Sequence, residues 1–178
     1  MTWEADLFAY FDDLEGEAVA AFDAERQLEV ADRARAEYAG VEAAGRLMAS
    51  IGSALTLRVA GLGAVRGRLV RVAADWCLLE SGSQEWIIRL PALLTAQGVS
   101  PRSVPRDAWP VTARLGFGSA LRRISESQER CCVRLVDGSQ YDAVPVRVGR
   151  DFVEAVTGER REVLLCAFES IAAVHTRA

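Results

Sequence analysis

The spacing of apolar and polar positions changes character twice along this chain. From about Glu17 to Ser50, Val19, Phe22, Val30, Ala34, Tyr38, Val41 and Met48 recur at helical intervals, with Arg26 and Gly45 filling the gaps. That is the spacing of one helical face. Alanine is abundant there and proline absent, so intrinsic preference agrees. At 1.5 Å per residue such a helix is about 50 Å long, longer than a small barrel. It must overhang its domain, bend, or pair with another helix. Ahead of it, Trp3, Leu7, Phe8 and Phe11 fall at helical spacing among acids, and Gly16 predicts a break between the two segments.

From residue 54 the period shortens to that of strands. Leu55 to Val59, Val65 to Val72, Trp76 to Leu79, Glu85 to Leu90 and Leu93 to Ala96 are separated by turn signals at Gly61–Gly63, Ala73–Asp75 and Ser81–Ser83. Short strands at this pitch predict a small meandering barrel. Residues 99–118 hold Pro101, Pro105, Pro110 and Trp109 and predict a linker. A short helix is expected from Ala120 to Gln128, capped by Ser119. A second strand-rich run follows from Arg130 to about Thr176, with Asp137-Gly138 as a hairpin turn.

The two strand-rich stretches are copies of one another. Arg58, Val59, Val65, Val70, Val72, Asp75, Trp76 and Gly82 reappear 76 residues later as Arg134, Leu135, Tyr141, Val146, Val148, Asp151, Phe152 and Gly158. After a two-residue slip, Ile87, Leu90 and Leu93 reappear as Leu165, Phe168 and Ile171. Such a repeat sets the architecture before any single element is assigned. The expected fold is α+β. A helical region spans 1–50, a first small barrel 51–98, a linker 99–118, and a short helix with a second small barrel 119–178. Trp76 over Phe152, Val72 over Val148 and Ile87 over Leu165 are expected as buried equivalents.

A helix followed by about five short, bent strands resembles the Sm-like (SH3-like) small-barrel fold, here in tandem. The stretches Thr2 to Phe8, Arg33 to Tyr38, Pro110 to Leu121 and Asp151 to Glu154 are similar to an uncharacterised group of actinobacterial proteins, sometimes labelled Fis-type regulators. No helix-turn-helix pattern accompanies that label, so no function follows from it. Glu4-Ala5-Asp6-Leu7-Phe8 partly resembles the pentapeptide by which bacterial proteins dock on the replication sliding clamp. Asp6, Leu7 and Phe8 match it, while the usual glutamine is missing.

Charge and composition narrow the chemistry. All 21 basic residues are arginine, which excludes Walker-type phosphate loops, Schiff-base lysines and Ser-x-x-Lys nucleophiles. Residues 1–49 hold twelve acids against four arginines, a net −8, while the whole chain carries −4. The body is therefore mildly basic, without the clustered basic footprint expected for nucleic acid. Gly61-x-Gly63 and Gly116-x-Gly118 lack a third glycine and a crossover context, so both read as turns. The only histidine, His175, is expected as an exposed tail residue, and no Cys-x-x-Cys pair or second histidine supplies a metal set. Asp75 and Asp151 precede an aromatic in both copies and are expected to bond nearby backbone in a turn.

Cys77, Cys131, Cys132 and Cys166 lie in apolar runs and predict reduced core thiols. With no basic leader or long apolar span, the expectation is a cytoplasmic protein without membrane contact. No catalytic residue, cofactor or metal is expected. The leading reading is a non-enzymatic adaptor that binds a protein partner through Trp3, Leu7, Phe8 and Phe11, with homodimerisation through the long helix as a further expectation. The alternative is an RNA- or DNA-binding module using Arg58, Arg66, Arg68, Arg71 and Arg89 on barrel faces.

Overall fold

The structure is a computed structural model that describes residues 3–176. Residues 1–2 and 177–178, which close the outer bounds of the expected regions and include Thr2 of the resembling stretch, lie outside the described residues, as does the Asp6 side chain of the clamp-like pentapeptide. The chain divides into two compact units between Val41 and Glu42.

The first unit is one helix, α1, Trp3–Ala39, 37 residues long, or about 55 Å at the standard rise. It runs unbroken through Gly16, where a break was expected. A glycine costs a helix only about 1 kcal/mol relative to alanine, and the helix-favouring residues on both sides offset that cost. The interruption comes instead after Ala39. There the amides of Gly40 and Val41 close back onto the carbonyls of Glu37 and Tyr38, tightening the last turn in the way helix ends satisfy their carbonyls. The helix expected from Glu17 to Ser50 is thus two helices, with α2, Ala43–Met48, belonging to the second unit.

The second unit holds β1 (Ala54–Val59), β2 (Gly63–Val72), β3 (Trp76–Ser81), β4 (Gln84–Arg89) and β5 (Leu93–Gln97), then α3 (Phe117–Ser127), then β6 (Cys131–Leu135), β7 (Gln140–Val148), β8 (Phe152–Thr157), β9 (Glu162–Ala167) and β10 (Ile171–Thr176). All ten strands form one antiparallel sheet in the order β5-β1-β2-β3-β4-β10-β6-β7-β8-β9. It is a continuous open sheet, where two separate barrels were expected. Within it each copy keeps the same internal order, with its first strand between its fifth and its second. The irregularities repeat too. The β2–β3 ladder shifts register between Leu69 and Arg71, and the β7–β8 ladder shifts between Pro145 and Arg147. A bulge bends a strand and raises its twist, so both copies curve at the same place. A 3-10 turn precedes the fifth strand of each, at Leu90–Ala92 and Phe168–Ser170.

Two cores lie along this sheet. The first gathers Leu55, Leu57, Leu69, Leu79 and Ile88 with Leu47 of α2. The second gathers Phe117 and Leu121 of α3 with Val133, Val153 and Ile171. The copies trade residues: Ala172 and Ala173 of β10 belong to the first core, Ala73 and Trp76 to the second. The segment expected as a linker folds onto the first core. Trp109 is buried and its indole N–H donates to the Val104 carbonyl at 3.0 Å. The helix before copy two begins at Phe117, three residues ahead of the expected start, and ends on Gln128 in the left-handed conformation. Of the expected buried pairs, Trp76 and Val72 are buried and Phe152 and Val148 half-buried. Ile87 is half-buried, but Leu165 is exposed, because β9 is the last strand of the sheet and pairs with β8 alone among the described strands.

Candidate functional site

The joint between the copies is the most elaborately built place in the second unit. β4 pairs with β10 in antiparallel register, Ile88 opposite Ala173, Ile87 opposite Val174 and Trp86 opposite His175. The His175 ring stacks on Trp86 with centroids 4.1 Å apart. His175 is therefore a half-buried residue of an inner strand, flanked by Trp86 and Cys132, and not an exposed tail residue. The apolar run Ile171 to Val174, buried throughout, carries that strand on through His175.

Three side chains of copy one reach into copy two or the segment leading into it. The Arg89 guanidinium donates to the Phe168 carbonyl and lies 5.6 Å from the Phe117 ring centroid. The Trp76 indole N–H donates to the Leu115 carbonyl at 3.0 Å. Asp75 Oδ1 accepts the Phe117 amide N–H at 2.8 Å. The first amides of a helix have no partner within it, so Asp75 caps α3 from 42 residues away, with its charge at the positive end of the helix dipole. Asp75 does bond backbone, as expected, but across the joint. Ser119, expected as the cap, lies inside the helix. The Gly61–Gly63 turn also meets copy two. A Cβ on Gly61 would collide with the carbonyl oxygens of Leu135 and Val136 and with the Gly138 amide.

Beside the joint, a groove of about 650 Å³ opens between α3 and strands β2, β3, β4 and β10, at the edge of the second core. Leu78, Ile87, Ala120 and Ile124 line it, with Arg71, Glu85, Arg123 and Glu129 among the charged residues around it. Ser119, Ser127 and His175 also line it, and its apolar walls suit an apolar side chain. All four cysteines are buried and none is in a disulfide. Burial pushes Cys77 and Cys131 up to about 12, with the neighbouring Cys132 and Asp142 adding to the effect at Cys131, and it also raises Cys166. Among the described residues no group of three or more His, Cys, Asp or Glu could hold a metal ion. No helix among the described residues is long and apolar enough to cross a membrane.

The five arginines expected as a nucleic-acid face are divided. Arg58 and Arg66 are exposed on β1 and β2. Arg68 is paired with Glu80 at 2.7 Å. Arg71, beyond the bulge, lines the groove, and Arg89 is held at the joint. Sequence reasoning missed the roles of Asp75 and Arg89. A signal existed for Arg89, since its counterpart in copy two is Ala167.

In the first unit, α1 carries all four expected partner-binding residues, and all four are exposed. Trp3 is 72% and Phe8 66% exposed, with Leu7 and Phe11 also open. Trp3, Leu7 and Phe11 are four residues apart, so they form one stripe with Phe8 beside it. Comparison with protein-family models and with curated proteins returns no match.

Proposed function

We propose that this chain is a non-enzymatic cytoplasmic adaptor that captures a protein partner through α1, with two tandem Sm-like repeats as its folded body. The observation that carries the reading is the exposed helical stripe of Trp3, Leu7 and Phe11 with Phe8 beside it. Large apolar side chains left together in solvent mark interaction surfaces. A helix with such anchors suits docking into an apolar groove. Glu4, Asp12 and Asp13 surround the stripe, so a groove with a basic rim is the matching partner surface. The strand order fifth-first-second-third-fourth in each copy, with its repeated bend, supports the Sm-like reading. Four buried cysteines outside any disulfide support a reducing compartment.

Homodimerisation through α1 draws less support, because two segments of net −8 would repel. The nucleic-acid alternative also draws less, with Arg89 engaged at the joint and Arg68 neutralised by Glu80.

The test compares the tagged wild-type chain with a Leu7→Ala/Phe8→Ala variant in capture from native extract, with and without nuclease. We expect the variant to lose the captured protein at an unchanged melting temperature. Unchanged capture with a lowered melting temperature refutes the reading. Capture abolished by nuclease favours the nucleic-acid alternative.

A further inference from the structure

The sheet has two outer edges, and the repeat says what each would pair with. Inside the chain, the fourth strand of copy one, β4, pairs with the fifth strand of copy two, β10. The fourth strand of copy two, β9, has only β8 beside it, and the fifth strand of copy one, β5, has only β1. The two bare edges are therefore the two halves of the joint the chain has already made once. Their chemistry matches that role. Exposed edges are usually guarded by charges, prolines or bulges against pairing with other chains. β5 reads Leu-Leu-Thr-Ala-Gln, without a charge or a proline; its register shift against β1 at Leu94 is matched by that of β10 against β6 at Ala172, and β10 pairs with β4 all the same, while β9 has one acid, Glu162, at its first position. Both display apolar side chains to solvent, with Leu94 61%, Val163 65% and Leu165 58% exposed. Ile87, the counterpart of Leu165, is half-buried at the internal joint.

We infer that chains join head to tail, the β9 edge of one pairing antiparallel with the β5 edge of a second copy, so that the contact between chains reproduces the β4–β10 joint. Carrying the internal register across the repeat sets Cys166 opposite Thr95 of the second copy, Leu165 opposite Ala96 and Leu164 opposite Gln97. The partner surfaces differ from one another, so the contact is heterologous, and each added copy leaves the same pair of edges free until the assembly closes on itself. The contact is weaker than the internal joint. Ala167 replaces the Arg89 staple, and a Leu164–Gln97 pair replaces the Trp86–His175 stack.

Paired cysteine variants of the full chain test this. Leu165→Cys and Ala96→Cys are made separately, each checked for an unchanged melting temperature, then oxidised alone and as a mixture. The native thiols are buried, so only the introduced ones react readily. We expect a 1:1 cross-linked dimer from the mixture and none from either variant alone. A Leu165→Cys variant that cross-links to itself overturns the proposal in favour of a two-fold edge contact. Equal absence of cross-links in all three samples, at concentrations where light scattering shows association, also overturns it. Repeating the mixture in the Leu7→Ala/Phe8→Ala background separates this contact from α1, since the edge cross-link must survive there.

Discussion

Replacing Asp75 with alanine tests the joint against a control that the repeat itself supplies. Asp75 accepts the Phe117 amide at 2.8 Å, and Phe117 is fully buried where α3 enters the second core. The substitution leaves that amide without its acceptor. A buried donor left unsatisfied costs about 1–3 kcal/mol, and losing a carboxylate at a helix N-terminus removes about 0.3–1 kcal/mol more. Some water can reach a half-buried site, so we expect a net loss of about 2 kcal/mol. For a chain of this size each kcal/mol moves the melting temperature by roughly 2–4 °C, so thermal unfolding should shift down by about 4–8 °C. Asp151 holds the same position in copy two. The backbone of its turn is the same, with the Asp151 carbonyl accepting the Phe168 amide as the Asp75 carbonyl accepts that of Leu90. Its side chain is exposed, so Asp151→Ala should stay within about 0.5 kcal/mol of wild type. Asp75→Asn keeps an acceptor oxygen and should recover most of the loss. Equal effects at Asp75 and Asp151 would refute the argument, because they would make the aspartate a turn residue in both copies and α3 uncapped by either.

Two glycines with opposite environments make a second pair. Gly61 has φ +66° and no room for a Cβ against Leu135 and Val136, whereas nothing lies within 4 Å of a Cβ on Gly16. Gly61→Ala should lower the urea midpoint by the equivalent of about 2 kcal/mol or more, while Gly16→Ala should raise the helical signal of α1, and opposite signs at either site would contradict the placement. The thiols give a pH dependence. Unfolded thiols ionise near their ordinary value of 9.0, but Cys77 and Cys131 hold their protons to about 12. Stability from these groups is therefore complete below pH 9 and falls as pH rises from about 9 towards 12. Urea midpoints measured from pH 8 to 11 should decline only above 9, and rapid alkylation of native Cys77 or Cys131 at pH 8 would show the burial to be wrong.

How far the sequence carried the structure depends on which contacts a residue reports. Residues that match between the copies describe what each copy does alone. Val72 and Val148, Asp75 and Asp151, and the turns at Gly82 and Gly158 recur because each copy needs the same strand, bulge and turn. Periodicity finds such positions because they answer to neighbours nearby in sequence. The β4–β10 pairing joins residues more than eighty positions apart, and no local pattern encodes it. Its trace lies where the copies disagree. Arg89 stands against Ala167, Trp86 against Leu164 and His175 against Gln97. In each pair the first member builds the joint, as hydrogen-bond donor or as half of the ring stack. The misreading of His175 as tail and the unforeseen place of Arg89 at the joint have this one cause. Both were judged by local surroundings, and both are shaped by residues of the other copy. The exposure of Leu165 is the converse case. Its sequence matches the inner position of Ile87, yet in the described sheet β9 pairs with β8 alone and Leu165 is exposed. A residue whose type fits a joint and whose surroundings lack one argues that the missing strand belongs to another molecule.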